Sequence, residues 1–110
     1  MQPLMQDATT GLLRAIRANL AVPITFEEVR SRAWASVTFV GARHELTLKL
    51  DGEEAAAAAD RFVAGLEAAE FDLRGHIVAD IHLESRQRGT GPDGAPFVRL
   101  RIEALTVEDA

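Results

Sequence analysis

The chain contains no cysteine and no tyrosine, and only 5% of its 110 residues are aromatic. The absence of cysteine excludes disulfides, thiolate metal ligands and cysteine nucleophiles, and it permits a reducing compartment without requiring one. With so few aromatic side chains, the core has to consist mainly of Leu, Ile, Val and Ala. The apolar fraction is 47%. A chain of this length buries roughly 65% of its unfolded surface, so it can form a core without disulfides or bound metals.

Long hydrophobic runs are also missing. Asp7, Arg14 and Arg17 interrupt the first twenty residues, which therefore lack the apolar stretch of a secretion signal. No run approaches the roughly 20 apolar residues needed to span a bilayer. We therefore predict a protein that is cytoplasmic where it is made and that does not bind membranes. The net charge of −5 argues against a dedicated nucleic-acid-binding protein, because such proteins usually carry a basic excess.

Two segments have the spacing of amphipathic helices. The first covers residues 7–20. The second is expected to begin at Asp51, which can cap the helix together with Glu54, and to run to about Ala69. The residues expected to face inward on this second helix are Ala55, Ala58, Ala59, Phe62, Val63 and Leu66.

Alternation of apolar and polar residues predicts a first β-hairpin. Its strands are expected at residues 33–40 and 44–50, joined by a turn at Gly41 and Ala42. His44 shares the parity of Leu46, which places it on the inner side at the entry of its strand. The preceding residues, 24–32, are compatible with a short strand or with an irregular connector.

A second and longer hairpin is predicted over residues 75–105. Residues of its first arm expected to face the core are Ile77, Ala79, Ile81 and Leu83, and those expected to face solvent are His76, Asp80, His82, Glu84 and Arg86. On the second arm the inward residues are Val98, Leu100, Ile102 and Ala104, and the outward ones are Arg99, Arg101 and Glu103. The polar segment 87–96 joins the arms, and loops of this length are typically functional or disordered.

The order of elements predicts an α+β fold, in which two helices cover one face of an antiparallel sheet of four or five strands. The expected order is α-(β)-β-β-α-β-β. Residues 1–110 show no linker, repeat or boundary and are expected to form a single domain. Within it, we predict that residues 1–6 are disordered and that residues 87–96 form a flexible loop.

The polar residues do not indicate a catalytic or cofactor site. Of the three polar residues His76, Asp80 and His82 on one strand, only the last two are close enough to share a cation, which is fewer than the ligands typical of zinc. No nucleophile-elbow pattern surrounds a serine. Residues 89–94 are rich in glycine but lack the lysine and the following helix of a phosphate-binding loop. We therefore predict a protein that is not an enzyme and that has no metal or cofactor.

The sheet face opposite the helices is expected to carry exposed apolar residues. They are Trp34, Val40, Val78, Phe97 and Leu105. Clustered apolar residues of this kind mark a surface for a subunit or a partner, so association is expected.

Nearly the whole chain resembles a known family: the small tail-completion or tail-terminator proteins of long-tailed bacteriophages and gene transfer agents, with the fold of the lambda terminator. The likeness is one of pattern and order. It includes the helix at residues 10–20, the strand at 41–50, the Ala-rich helix, and the segments 73–78 and 98–105.

The resemblance implies a structural protein whose copies form a ring, typically a hexamer, that ends the tail tube and joins it to the head connector. The partners implied are other copies of the chain, the tail-tube protein and the head–tail connector protein, with DNA only as passing cargo. The location implied is the virion tail of the assembled particle. The predicted interface residues are Trp34, Val78, Arg86, Gln87, Arg88, Thr90, Asp93, Phe97, Arg99 and Arg101.

Two alternatives stay open. One is a small α+β domain that dimerises to build a ligand or enzyme pocket. The other is an oligomeric cytoplasmic binding or adaptor domain, unrelated to phage, whose ligand is unknown.

Overall fold

A computed structural model describes residues 4–71 and 73–109. The elements are α1 (Leu4–Ala18), β1 (Ile24–Ala35), β2 (Val40–Asp51), α2 (Ala55–Gly65), β3 (His76–Thr90) and β4 (Pro96–Glu108). The four strands form one antiparallel sheet in the order β1-β2-β4-β3. The predicted α+β class and the order α-β-β-α-β-β are therefore confirmed. Of the segment 1–6, residues 1–3 lie outside the described residues and residues 4–6 begin α1.

The core lies between the two helices and one face of the sheet. The central strands β2 and β4 supply its floor, and α1 supplies Leu12 and Ile16. The buried floor residues are Leu46, Leu48, Leu50, Val98, Leu100 and Ile102. The inward stripe predicted for α2 is confirmed, with Val63 only half-buried. Its alanines allow the helix to lie close to the sheet because they add little bulk between the two layers.

The predicted start of α2 is wrong. Asp51 is the last residue of β2, where its backbone N–H donates to the Pro23 carbonyl over 3.0 Å. Gly52 then turns the chain with a φ of 109°, a conformation that side chains other than glycine rarely adopt. The residue at the cap position is Glu54, which makes no side-chain capping bond, and the helix ends at Gly65 instead of Ala69.

The first hairpin turns earlier than predicted. β1 covers the ambiguous segment 24–32 and ends at Ala35, and the turn is closed by a 2.8 Å hydrogen bond from the Ser36 N–H to the Phe39 carbonyl. Gly41 therefore lies inside β2 and not in a turn. A Cβ at Gly41 would lie 1.9 Å from the Thr106 carbonyl oxygen, so glycine is required there by the close approach of β4.

The second hairpin is more extended than predicted. β3 continues to Thr90 and β4 starts at Pro96, which leaves a loop of residues 91–95. Hydrogen bonds close this loop: the Gly91 N–H donates to the Ala95 carbonyl over 2.8 Å, and the Ala95 N–H donates to Asp93 Oδ1 over 3.0 Å. Much of the predicted loop 87–96 is thus part of the sheet.

Two register shifts in β3, between Val78 and Asp80 and between Leu83 and Ser85, change which side chains face the helices. Each shift adds an unpaired residue, which inverts the alternation beyond it. His76 is consequently buried and Ile77 is 50% exposed, the reverse of the prediction. Ala79 is exposed instead of facing the core. Beyond the second shift, Arg86 pairs with Leu100 on the helix side, and its predicted outward orientation is wrong.

Candidate functional site

The sheet face opposite the helices, which we call the open face, changes in character along the strands. The register places neighbouring residues of β1, β2, β4 and β3 in rows across it. The row at one end consists of Trp34, Gly41, Val107 and Ile77. The middle row consists of Arg30, Glu45, Glu103 and His82. The row near the opposite end consists of Thr25, Lys49, Arg99 and Gln87. The face is therefore apolar at one end, of mixed charge in the middle and polar to basic at the other end.

Exposed apolar side chains are concentrated at one end of the sheet. The turn between β1 and β2 presents Val37, which is fully exposed, and Phe39, which is 53% exposed. Val40 and Ile77 are also exposed, and Trp34, which is half-buried, lies in the same row of the open face as Ile77. We call these five residues the apolar end. A concentration of this kind marks a surface for contact with another protein.

A second group of contacts surrounds Phe97, near the other end of the open face. The ring lies over Gly89, where a Cβ would come within 2.4 Å of Phe97 Cζ. Lys49 Nζ lies 4.8 Å from the ring centroid and Arg99 Cζ lies 5.0 Å from it, both within cation–π distance. Arg99 also donates to Glu27 from Nε over 2.6 Å and from Nη2 over 3.0 Å. This hydrogen bond lowers the pKa of Glu27, and it fixes the orientation of Arg99 beside the ring.

The predicted interface residues occupy three places. Those on the open face are Trp34, Gln87, Phe97, Arg99 and Arg101. Thr90 and Asp93 lie at the hairpin tip. Val78, Arg86 and Arg88 lie on the helix side, where Val78 packs against the core. Arg86 Nη2 is 2.7 Å from Asp60 Oδ1 and donates to the Ala56 carbonyl over 3.4 Å, so this side chain joins β3 to α2.

A buried polar network around His44 was not predicted beyond the inward parity of that residue. His44 Nδ1 lies 2.7 Å from Ser31 Oγ, and Nε2 lies 2.9 Å from Thr106 Oγ1. Thr9 Oγ1 in α1 is 2.9 Å from Ser31 Oγ. The Thr106 hydroxyl donates to the Ala42 carbonyl over 3.5 Å, which favours the tautomer in which Nε2 donates to Thr106 and Nδ1 accepts from Ser31. The neutral imidazole of His44 thereby connects α1, β1, β2 and β4.

Burial lowers the pKa of His44 to about 4, with a smaller contribution from nearby His76. A serine beside a histidine resembles a nucleophile and its base. Catalysis of that kind also needs an orienting group and an accessible nucleophile. Among the described residues no carboxylate forms a hydrogen bond or ion pair with His44, and its second nitrogen is occupied by Thr106. The network therefore holds the helix and the edge strand in place.

An open groove of about 1230 Å³ separates α1 from the segment before β3. Gly11, Ala15 and Phe71 supply apolar lining, and Arg14 and Arg74 stand exposed along it. An enclosed reaction site needs titratable groups that converge in a dry cavity. This groove offers a shallow surface for contact instead.

The fold and its surfaces define a small α+β protein in which helices cover one sheet face and leave the other open. The chain is similar in structure to a chain of the virion of a native gene transfer agent (GTA) particle. The two are 19% identical with a TM-score of 0.62, over 96% of this chain and 95% of the other. At this identity the similarity establishes a shared fold.

No protein-family model matches the chain. The comparison with curated proteins gave no match either. None of the helices in residues 4–71 and 73–109 is long and apolar enough to cross a membrane.

Proposed function

We propose that this chain is a structural protein of a phage or gene transfer agent particle, and that its copies form a ring at the head-proximal end of the tail. In this role the ring, expected to be a hexamer, ends the tail tube and joins it to the head connector. The observation that carries the proposal is the similarity to a virion chain over nearly the full length of both chains. The resemblance of the sequence pattern to tail terminators gives the finer role.

The two ends of the molecule support a role in assembly. The chain measures 49 × 27 × 20 Å, and its long hairpins place the apolar end and the loop 91–95 at opposite ends of the sheet. A ring of identical subunits uses two different surfaces on each copy, because each contact is head-to-tail. A subunit that offers an apolar surface at one end and a polar loop at the other fits this requirement.

The edge strands favour association through side chains over extension of the sheet. β1 and β3 are the outer strands, and both contain register shifts that interrupt regular backbone pairing. Both also carry many charged residues. Bulges and charges are the usual protection of edge strands against uncontrolled pairing. The apolar end is therefore the surface that we expect to bury most apolar area in the ring.

The test is light scattering and negative-stain imaging of the protein, alone and with tail-tube protein. Wild-type chain is expected to form rings or to cap tube ends, and the double substitution Val37→Glu/Phe39→Glu is expected to abolish both. Ala64→Glu on the exposed side of α2 is the matched control and should assemble normally. A wild-type protein that stays monomeric and leaves tubes uncapped would overturn the proposal.

A further inference from the structure

Three carboxylates surround one imidazole in the middle of the open face, and a fourth lies on the neighbouring strand β2. His82 Nε2 lies 2.6 Å from Glu84 Oε2 and 3.7 Å from Glu103 Oε1, and His82 Nδ1 lies 3.4 Å from Asp80 Oδ2. Glu45 is the direct neighbour of Glu103 on β2. We call these five residues the His82 cluster.

Arg30, Arg32, Arg43 and Arg101 lie on the same face as the His82 cluster, but none of them forms an ion pair with it. Within the part of the chain that the structure describes, no lysine or arginine lies within 4.0 Å of a carboxylate of the cluster. Like charges directly opposite each other on neighbouring strands are destabilising, and Glu45 and Glu103 are such a pair. One imidazole serves three of the four carboxylates. Among the described residues, His82 is the only cationic group at ion-pair distance from these carboxylates.

The geometry around Nε2 suits a small metal ion. The ligand atoms of His82, Glu84 and Glu103 all lie within 4.8 Å of one another. A tetrahedral zinc ion with bonds of about 2.0–2.2 Å holds its ligand atoms ~3.4 Å apart, a value between the two Nε2–carboxylate distances of 2.6 and 3.7 Å. The two distances therefore bracket the spacing that one bound ion requires.

Asp80 and the second bulge of β3 complete the arrangement. Glu84 is the unpaired residue between Leu83 and Ser85, and bulges commonly re-aim a side chain toward a site. Asp80 faces the other ring nitrogen, where it can accept a hydrogen bond from Nδ1 and leave the Nε2 lone pair free. Histidine ligands are usually held by a carboxylate in this way. The sequence alone offered only Asp80 and His82, because the pairing of Glu103 with β3 is not local.

We propose that His82, Glu84 and Glu103 bind one divalent transition-metal cation of the Zn²⁺ type, with water as the remaining ligand and Asp80 as a positioning residue. Imidazole together with carboxylates favours Zn²⁺ and Co²⁺ over Mg²⁺ and Ca²⁺, which prefer all-oxygen sites. The proposal does not depend on the ring, because every ligand comes from one copy of the chain.

The test is calorimetric titration of the tag-free, EDTA-treated full chain with Zn²⁺, and in parallel with Mg²⁺. We expect one Zn²⁺ per chain and no comparable binding of Mg²⁺. His82→Asn should abolish Zn²⁺ binding, and Asp80→Asn should weaken it by about 10-fold, as is typical for loss of a residue that orients a ligand. Glu53→Gln, an exposed carboxylate outside the cluster, is the matched control and should leave the affinity unchanged.

A second readout is independent of the variants. In NMR spectra of the wild-type chain, Zn²⁺ should shift the ring resonances of His82 and leave those of buried His44 in place. Equal Zn²⁺ affinity of the wild type and of His82→Asn, or the absence of Zn²⁺ binding by the wild type, would overturn the proposal. In either case the His82 cluster would be a group of surface ion pairs.

Discussion

Ser31 and His44 are joined by a 2.7 Å hydrogen bond from Ser31 Oγ to His44 Nδ1 that ties the edge strand β1 to the central strand β2. The opposite ring nitrogen extends the connection to Thr106 in β4. Thr9 adds α1 through its contact with Ser31. Because His44 is completely buried, this network holds only while the imidazole stays neutral.

The first prediction is a loss of stability between pH 6.5 and pH 4 that depends on His44. The pKa of His44 is lowered from 6.5 to about 4 in the folded chain. Between these pH values His44 is therefore protonated in the unfolded chain but neutral in the folded chain. The stabilisation is fully present above pH 6.5 and is lost as the pH falls toward 4, by roughly 3 kcal/mol in total. Urea unfolding at a series of pH values measures it, and His44→Leu should flatten the slope in this window.

His82→Asn is the matched control for this experiment. The pKa of His82 is raised, first by its hydrogen bond with Glu84, so its contribution has the opposite sign: it is present below pH 6.5 and lost as the pH rises. His82 is partly exposed, and its removal should leave the acid slope largely intact. An unchanged acid slope in His44→Leu would contradict the assignment to His44.

The second prediction concerns Gly41. Gly41→Ala would place a Cβ 1.9 Å from the Thr106 carbonyl oxygen and 2.9 Å from Val107 Cα, both backbone atoms of the central strand β4. Relief requires the two central strands to separate, so we expect a loss of roughly 3 kcal/mol in the free energy of unfolding. Gly65→Ala is the control, because a Cβ there meets nothing within 4 Å. Denaturant titration of both variants decides, and similar stabilities would refute the steric explanation.

Gly41 also illustrates what could be predicted from the sequence. Alternation identified most of the buried residues of β2 and β4, though not Ala42, Thr106 and Val107. Helical spacing identified the inward stripe of α2, because both patterns are local. Gly41 was interpreted as a turn residue. Glycine is instead required there because the backbone of Thr106, 65 positions further along the chain, approaches it closely. No local pattern reports the close approach of a distant strand.

The bulges of β3 and the two polar clusters could not be predicted from local sequence patterns either. An inserted residue preserves the alternation of apolar and polar side chains but exchanges the two faces of the strand beyond it. Arg86 therefore lies on the helix side, where it contacts Asp60 of α2. The His44 network draws on four separate elements, and only the inward parity of His44 gave a signal. The His82 cluster depends on Glu103 from the neighbouring strand, so its third ligand is known only once the register is known.

The third prediction is a measurable coupling between Arg99 and Glu27. The two hydrogen bonds of this ion pair span β2 and attach the bulge of β1 to β4. A double-mutant cycle with Arg99→Ala and Glu27→Ala should give a coupling of about 1 kcal/mol that decreases with added salt. Arg30 and Glu28 form the control pair, because they are more exposed and should couple near zero. Equal coupling in both pairs would show that the bidentate geometry adds nothing.

The last prediction separates folding from assembly at the hairpin tip. Replacing residues 91–95 by Asn-Gly should preserve the fold, since the loop is closed by its own hydrogen bonds and two-residue Asn-Gly turns suit antiparallel strands. Gly89 must be kept, because it lies under the Phe97 ring.

Thermal unfolding should then change little, whereas ring formation or tube capping should be lost, if the tip contacts a neighbour as proposed. Asp93→Ala serves as a milder variant that removes the acceptor for the Ala95 N–H and leaves the loop length unchanged. A shortened chain that fails to fold would show that the loop is structural. A shortened chain that assembles normally would remove the tip from the interface and leave the apolar end as the surface that joins the copies.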